Sequence, residues 1–400
     1  MTENIKHSET TEEQLEREIL DIVSKCVHCR FCLPNCPRME ITGGWEGQGA
    51  AGILTSLYYA LKYGLLDEHW EQLRDRLFAC ANCKSCFEHC SDESVGINTI
   101  EAIRKGRQLL LERMKGPMPQ QGKALDLLAQ YGNPYGNPPS ERTAWAKDLG
   151  IPFFSKEAAL DVLLYVGCTA AYDERIQRVS RAVVQLLKAA QVKFGILSDE
   201  ECCGYPADKI GEASLFEEVM NKNWAKFKAL NVKHIVAICP HGYDEFVKEY
   251  PLEMGKDITI EHYTQFFSEL IDQGRLSFKK TISKKVTYQD PCYLGRHNNI
   301  YEQPRKIIKA IPGVSLVEMR RNREDSLCCG GGGGRMWADF EDETERLGNI
   351  RVKEAVEAGA EMIVTACPFC FINLDDAVKT TRLEQTLEVK DIAQLMVDAL

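Results

Sequence analysis

The residues best suited to redox chemistry are five cysteines gathered around one glycine-rich loop. The loop, Ser326–Arg335, reads Ser-Leu-Cys-Cys-Gly-Gly-Gly-Gly-Gly-Arg. Two adjacent cysteines leave the backbone in different directions, which suits a cluster of several irons better than one tetrahedral ion. The glycines lack Cβ atoms, so the backbone can pass close to a bulky group. The five thiols are those of Cys292, Cys328, Cys329, Cys367 and Cys370. We predict that the rest of the chain brings electrons to them.

Two cysteine runs nearer the N-terminus predict a route for those electrons. Each run has the spacing C-x2-C-x2-C-x3-C. This spacing is typical of paired cubane 4Fe–4S clusters, in which the fourth cysteine of each run ligates the other cluster. Structural zinc is the alternative, but zinc sites use separate C-x2-C pairs and do not need four cysteines in one run. The predicted cluster ligands are Cys26, Cys29, Cys32 and Cys36 in the first run, and Cys80, Cys83, Cys86 and Cys90 in the second.

The remaining cysteines belong to an internal repeat in the second half of the chain. The cysteines of its first copy are Cys168, Cys202, Cys203 and Cys239. They match four cysteines of the second copy at offsets of 124 to 128 positions. Such close agreement indicates two copies of one structural unit.

Composition restricts the class of protein. The chain has 400 residues, 44% hydrophobic and 27% charged, which predicts a soluble protein of two or three domains. A net charge of −10 and no dense Lys/Arg run argue against nucleic acid or an anionic membrane as partner. No apolar run reaches membrane-span length and residues 1–18 show no signal peptide. We therefore expect a cytoplasmic protein, which could still dock onto a membrane partner. Disulfides are not expected there, so metal ligation explains the 17 cysteines.

Helices are predicted around the cysteine runs. Thr10 or Thr11, with Glu13 or Gln14 three residues later, predicts a capping box that begins a helix before the first run. Residues 37–79 have helical periodicity, with one helix near Leu73–Ala79, and helix Ile97–Lys115 follows the second run. The proline-rich stretch Lys115–Phe154 predicts a linker of turns that packs against the domains.

Each copy of the repeat alternates strands with helices. Strands are predicted at Val162–Val166, Ile235–Ile238, Lys285–Tyr288 and Met362–Thr365, and helices near Arg175–Ala190, Leu215–Leu230, Gln303–Ala310 and Glu343–Ala358. The alternation indicates two parallel α/β halves. Their cysteines follow the strands, at the sheet edge where open α/β sheets bind ligands.

These residues resemble a known family. The Cys-Cys-Gly motifs at 202–204 and 328–330, each followed by a Cys-Pro, are similar to the CCG domain found in the B-type and D-type subunits of heterodisulfide reductase. The same domain occurs in iron–sulfur subunits of glycolate oxidase and anaerobic glycerol-3-phosphate dehydrogenase. The resemblance covers nearly the whole chain and implies an α+β multidomain protein. Its parts would be an N-terminal α-helical ferredoxin-like domain (1–115), a linker (116–158) and two pseudo-symmetric α/β CCG domains (159–280 and 281–400).

The resemblance implies different metal groups in the two copies. The second copy has all five family cysteines, which implies a catalytic noncubane 4Fe–4S cluster. The first copy has Gly242 at the fifth position. Its four thiolates could hold zinc or a further iron–sulfur cluster. His241 could replace the missing ligand, or it could be a histidine outside the ligand set.

Four features in or near the glycine loop bear on its function. The loop lacks the Lys-Ser/Thr of a P-loop and the dinucleotide fingerprint, so nucleotide binding is disfavoured. Arg335 could be an exposed side chain, or it could balance the thiolate cluster or orient an anionic substrate. His297 could supply a proton or be a plain loop residue. The acidic stretch Asp339–Glu345 predicts a solvated helix N-terminus.

The sequence and the resemblance together predict an oxidoreductase subunit that is active only with partner subunits. Electrons would enter from a flavoprotein, pass through two cubane clusters and reach the noncubane cluster, which could reduce or form a small-molecule disulfide. The alternative is an electron relay without substrate, serving a flavin-dependent hydroxy-acid or acyl-CoA dehydrogenase or an electron-transferring flavoprotein. A thiol-based sensor or zinc scaffold would not need the eight cubane ligands. No flavin or nicotinamide motif is present, so two-electron chemistry depends on the partner.

Overall fold

Three units follow one another along the chain, one helical and two with parallel sheets. The computed structural model describes residues 10–90, 96–251 and 258–400. Half of the stretch in which we looked for a signal peptide, residues 1–9, lies outside the described residues. Among the described residues, no helix is both long and apolar enough to cross a membrane.

The helical unit surrounds the two cysteine runs. Its helices are α1 Thr11–Val23, α2 Pro37–Ile41, α3 Ala50–Lys62, α4 Leu66–Phe78, α5 Ser85–Glu88 and α6 Thr99–Glu112. The predicted capping box is confirmed, because the side chain of Thr10 and that of Glu13 each accept the other residue's backbone N–H. The apolar faces of α1, α3, α4 and α6 pack into one core. The cysteine runs lie in the turns between these helices.

The proline-rich stretch is more regular than predicted. It contains helix α7, Pro119–Tyr131, where we expected only turns. Pro119 occupies the first turn, where a missing N–H costs nothing, and Gly132 ends the helix in the left-handed conformation. The prediction that this stretch packs down is confirmed, because Trp145 is buried in the core of the first α/β unit.

The two α/β units have the same topology. The first contains β1 Val162–Tyr165, α8 Cys168–Tyr172, α9 Glu174–Ala189, β2 Phe194–Gly195, α10 Tyr205–Ile210, α11 Ala213–Ala229, β3 His234–Ala237, α12 Pro240–Lys248, β4 Thr259–His262 and α13 Tyr263–Asp272. The second contains β5 Lys284–Tyr288, α14 Glu302–Ala310, β6 Val314–Leu316, α15 Leu347–Glu357, β7 Met362–Thr365, α16 Pro368–Thr380, β8 Glu388–Asp391 and α17 Ile392–Ala399. The strand orders are β2-β1-β3-β4 and β6-β5-β7-β8, all parallel. The predicted pair of parallel α/β halves is confirmed.

This strand order decides where the cysteines meet. From β1 the chain continues to β2 on one side of the sheet centre, and from β3 it continues to β4 on the other side. The crevice between β1 and β3, where the direction changes, is called the switch point, and open sheets bind ligands there. Cys168 follows β1 and Cys239 follows β3. Cys292 and Cys367 follow β5 and β7 in the same way. Each sheet therefore presents two cysteines at its switch point.

The two α/β units share one core. Helix α9 packs against α17, and α13 packs against α14, so each unit contributes an early and a late helix to the contact. Buried side chains from both sheets form a single cluster that includes Val236, Val286 and Val364. This contact fixes the two switch points relative to each other.

Candidate metal centre

The five-glycine stretch packs against the helical unit. A Cβ atom at Gly332 would lie 2.5 Å from the carbonyl oxygen of Ala81, and one at Gly333 would lie 2.4 Å from that of Cys80. The backbone N–H of Gly333 donates to the hydroxyl of Tyr205 at 2.8 Å. We expected the glycines to admit a metal cluster. In the structure, glycines 332 and 333 admit the backbone of the second cysteine run, which brings that run to the C-terminal cysteines.

The five C-terminal thiols lie together in the buried interior. Cys292, Cys328, Cys329, Cys367 and Cys370 are all at most 9% exposed. Hydrogen bonds between the thiols join Cys328 to Cys292 and Cys329 to Cys370. Cys83 of the second run also makes a side-chain hydrogen bond with Cys328. The C-terminal set is thus in direct contact with the second run.

The four thiols of the first copy line a separate cavity. Cys168, Cys202, Cys203 and Cys239 surround it. A Cβ at Gly242 would be 3.6 Å from the sulfur of Cys203, so a fifth side chain would point into this set. Within the described part of the chain, no three His, Cys, Asp or Glu side chains are arranged to hold a single metal ion. The ground for treating the four thiols as candidate ligands is that they share one cavity.

The second run shares its cavity with the last cysteine of the first run. The side chains of Cys80, Cys83 and Cys86 line an enclosed space together with Cys36. This arrangement is compatible with the ligand exchange that the spacing predicts for paired cubane clusters, which stays a prediction. Burial raises the pKa of Cys36 to about 12. It is therefore a neutral thiol until a metal displaces its proton.

The first run is the exposed end of the cysteine array. Cys29 is exposed, and Cys26 and Cys32 are half-buried. Val27 and Phe31 between them are 69% and 61% exposed. The array therefore extends from the surface, through the second run, to the buried C-terminal set.

Three buried arginines connect these sets, and the sequence analysis missed all of them. Arg107 is fully buried and donates to the carbonyls of Leu77, Cys80, Lys209 and Gly333. The sequence feature that could have revealed Arg107 is its position as a charged residue on the apolar face of the predicted helix Ile97–Lys115.

The other two arginines accompany the α/β units. Arg296 donates to the carbonyls of Cys83 and Ser326. Arg142 pairs with the buried carboxylate of Glu200 and makes a further side-chain hydrogen bond with Cys168. Nη2 of Arg296 and Nε and Nη1 of Arg142 have no nitrogen or oxygen partner. Each is a positive charge next to a thiol set that would become anionic on binding metal.

Arg335 and His297 join the units together. The side chain of Arg335 is largely buried: it donates to Ala79 O at 2.7 Å and Gly330 O at 3.0 Å, and pairs with Glu343 at 2.6 Å. It also lines both the cavity of the second run and the outer groove beside Cys329, so its predicted role beside a cluster or substrate stays a prediction. The ring of His297 donates its Nε2–H to Asn82 O at 2.8 Å. Burial lowers the pKa of His297 to about 3. Its ring is neutral and engaged with the second run.

The acidic stretch was wrongly predicted as a helix N-terminus. Helix α15 begins later, at Leu347. Asp342 and Glu343 instead pair with the buried Arg38 of the helical unit, both at 2.6 Å. The stretch is one more contact between the helical unit and the second α/β unit.

A groove of about 910 Å³ reaches the C-terminal set from outside. Cys329 and Gly330 line its inner end, with Trp337 and Asn373 beside them. Asn373 donates to Cys329 O at 3.1 Å. This groove is a route by which a small molecule could approach a buried cysteine.

Two family models match the chain. A 4Fe-4S dicluster domain matches residues 22–94, and a cysteine-rich domain, CCG, matches residues 162–243 and 286–375. These matches cover both runs and both repeat copies. They identify iron–sulfur clusters as the cofactors, and the thiol sets just described are suited to holding them.

Several curated relatives are similar over most of the chain. The D-type subunit of dihydromethanophenazine:CoB–CoM heterodisulfide reductase from Methanosarcina barkeri is 32% identical over 393 residues, covering 94% of this chain and 93% of that protein. EtfAB:quinone oxidoreductase of Syntrophomonas wolfei and the probable iron-sulfur-binding oxidoreductase FadF of Bacillus subtilis are each 35% identical, covering 80% of this chain and 46% of their own length. The chain spans about half the length of these two relatives.

A solved structure shares the fold. The crystal structure of a hypothetical protein from Helicobacter pylori superposes with a TM-score of 0.57 at 12% identity, covering 99% of this chain and 73% of that one. The α+β multidomain architecture is confirmed by this match and by the family models. By its motifs and its near full-length similarity, the chain belongs to the family of D-type heterodisulfide reductase subunits, which are oxidoreductase subunits that carry iron–sulfur clusters.

Proposed function

We propose that the chain is the electron-transfer subunit of a heterodisulfide-reductase-like complex. Electrons from a flavoprotein would enter at the exposed first run, pass to the buried second run and reach the C-terminal set. The observation that carries the proposal is the contact between Cys83 and Cys328. It leaves no intervening side chain between the second run and the C-terminal thiols. The units responsible would be those at residues 1–115, 116–158, 159–280 and 281–400.

Shared cavities support three of the four proposed ligand sets, and the cysteine spacing supports the fourth. One cubane cluster would be held by Cys80, Cys83 and Cys86 with Cys36, which share a cavity. The other would be held by Cys26, Cys29, Cys32 and Cys90. The five C-terminal thiols would hold the noncubane cluster, and the four of the first copy a further cluster or zinc. When bound, the clusters supply one-electron storage, and the C-terminal iron can hold a substrate sulfur.

The protein's own residues give these sets their environment. Arg107, Arg142 and Arg296 supply buried positive charge, which favours the anionic cluster over the empty thiols. The carbonyl acceptors of Arg107 lie in all three units and those of Arg296 in two, so these side chains also fix the positions of the thiol sets relative to one another. Burial excludes water from the inner sets and limits side reactions with oxidants.

Metal counting tests the ligand assignment. Two cubane clusters and one noncubane cluster require about 12 iron atoms per chain, and a further cluster in the first copy would raise this to about 16. We expect Cys370→Ser to lose about four irons and the electron paramagnetic resonance (EPR) signal of the C-terminal cluster, because it removes one of five ligands. The EPR signals of the two cubane clusters should remain. Loss of a cubane signal instead would contradict the assignment.

The groove beside Cys329 supports a substrate-linked role over a pure relay. If a disulfide is the substrate, candidate thiols added to the oxidised protein should change the EPR signal of the C-terminal cluster. Cys370→Ser protein, lacking that cluster, should show no such change. If no thiol in a broad panel changes the wild-type signal, the relay between a flavin-dependent dehydrogenase and another carrier is the function.

The exposed first run is the proposed entry point for the flavoprotein. Phe31, Tyr59 and Tyr63 are each at least half exposed on this side. His28 lies 3.3 Å from Thr55, one helical turn before Tyr59, so the run and α3 form one surface. Exposed Lys25 and Lys62 border it, although the chain as a whole carries −10. The surface suits an acidic protein partner whose flavin lies near its own surface.

Changing this surface should impair transfer from the partner only. We expect Phe31→Ser to raise the apparent KM for a reduced electron-transferring flavoprotein about 10-fold, the cost of losing one exposed aromatic anchor. Dithionite should reduce the variant at the wild-type rate. Phe153→Ser is the matched control, because Phe153 is 53% exposed on the first α/β unit. Equal KM values for the two variants, or binding of this surface to anionic lipid vesicles instead of flavoprotein, would contradict the proposal.

A further inference from the structure

A single layer of side chains separates the thiol sets of the two α/β units. This layer, formed by His241 and Phe369, is called the wall below. His241 and Phe369 occupy matching positions of the repeat, each two residues after a Cys-Pro cysteine. Both side chains line the first-copy cavity and also the C-terminal cavity. Their ring centres are 4.7 Å apart. The repeat therefore places an imidazole from one copy against a phenyl ring from the other, with a thiol set on each side.

His241 contacts a sulfur of each set. Its Nδ1 lies 3.4 Å from Sγ of Cys239 in the first copy. Its side chain also hydrogen-bonds Cys367 of the C-terminal set. The rings of Tyr205 and Tyr293, at 4.3 and 4.6 Å, hold the imidazole in a position only 3% exposed. In Phe369, the matching residue, there is no polar atom.

We propose that His241 is a positioning residue that couples the metal group of the first copy to the C-terminal cluster through hydrogen bonds to Cys239 and Cys367. Hydrogen bonds to ligand sulfurs stabilise the more negative, reduced form of a cluster and so raise its reduction potential. A neutral imidazole carries one N–H, so it donates to the sulfur of Cys239 or to that of Cys367, and a change of charge in one group would draw this hydrogen bond away from the other. The first copy, with Gly242 in place of a fifth cysteine, would thus adjust the reduction potential of the cluster in the second copy. This inference rests on the proposed C-terminal cluster.

The test is a set of reduction potentials measured on the whole protein. We expect His241→Phe, which gives the wall a second phenyl ring, to lower the midpoint potential of the C-terminal cluster. A tenfold shift in the one-electron equilibrium would appear as about 59 mV. His241→Asn, which keeps an N–H near the Nδ1 position, should recover part of the shift. Phe369→Leu is the control, because it changes the wall without removing a hydrogen bond.

Iron content separates failure of this inference from failure of the proposed function. If wild-type protein shows no EPR signal from a C-terminal cluster, both the cluster and the proposed function are contradicted. With that signal and the full iron content present, an unchanged potential in His241→Phe would overturn the coupling. So would an equal shift in Phe369→Leu, since packing alone would then explain the effect.

Discussion

Gly332→Ala is expected to separate the cubane clusters from the C-terminal cluster without removing any ligand. The new Cβ would lie 2.5 Å from the carbonyl oxygen of Ala81, a backbone atom that cannot move aside like a flexible side chain. Overpacking of this kind costs about 1–3 kcal/mol of stability. Because this contact holds Cys83 against Cys328, displacing the loop should lengthen the path between the two thiols and lower the rate of internal electron transfer.

A matched glycine controls for the change of residue. Gly122 lies within α7, and a Cβ there would meet nothing closer than 3.8 Å. Gly122→Ala should raise stability by about 0.5–1 kcal/mol through helix propensity and leave electron transfer unchanged. Stopped-flow reduction, followed at the C-terminal cluster, measures both variants. A wild-type rate in Gly332→Ala would show that the loop contact does not set the separation.

Arg107→Leu is expected to have the largest effect on stability. The guanidinium is fully buried and holds carbonyls of the helical unit, the first α/β unit and the glycine loop. Leucine would remove the guanidinium donor from all of these buried carbonyls, of which, within the described part of the chain, only that of Leu77 also accepts a backbone N–H, that of Cys80. Removing one side of such a buried charged network costs about 3–5 kcal/mol. We expect this loss in denaturant unfolding of the anaerobically prepared protein.

An exposed arginine provides the comparison. Arg181 pairs with Asp148 on the surface, where the two side chains are 39% and 69% exposed. Arg181→Ala should therefore cost at most about 1 kcal/mol. Arg107→Leu should also lower the iron content of the inner clusters, since Cys80 would lose its neighbouring positive charge. If the two variants unfold at the same denaturant concentration, the proposed role of Arg107 is wrong.

The sequence predicted the central strands and missed the edges. β1, β3 and β7 are largely apolar because both faces of a central parallel strand are buried, and β5 buries its last three residues after two exposed lysines. The missed strands are β2, β4, β6 and β8, which lie at the sheet edges. They are two to four residues long and several carry charges, as edge strands commonly do. Short polar segments give no periodic signal, so only the neighbouring strand identifies them.

The site was predictable where local spacing determines it. Cysteine spacing indicated both runs and the repeat, and the structure brings Cys36 to the second run as that spacing predicts. The roles of Gly332, Arg107 and His241 depend on residues more than 60 positions away in the chain. No local pattern contains that information. For His241, the repeat offered a clue, because its matching residue is an apolar phenylalanine.

The order in which the clusters are reduced tests the central claim most directly. Oxidised protein would be mixed with reduced electron-transferring flavoprotein and frozen at increasing times for EPR. The proposed path predicts that cubane signals appear first and that the C-terminal cluster follows, with the delay lengthened in Gly332→Ala. If the C-terminal cluster is reduced before the cubane clusters, electrons do not pass through the contact between Cys83 and Cys328.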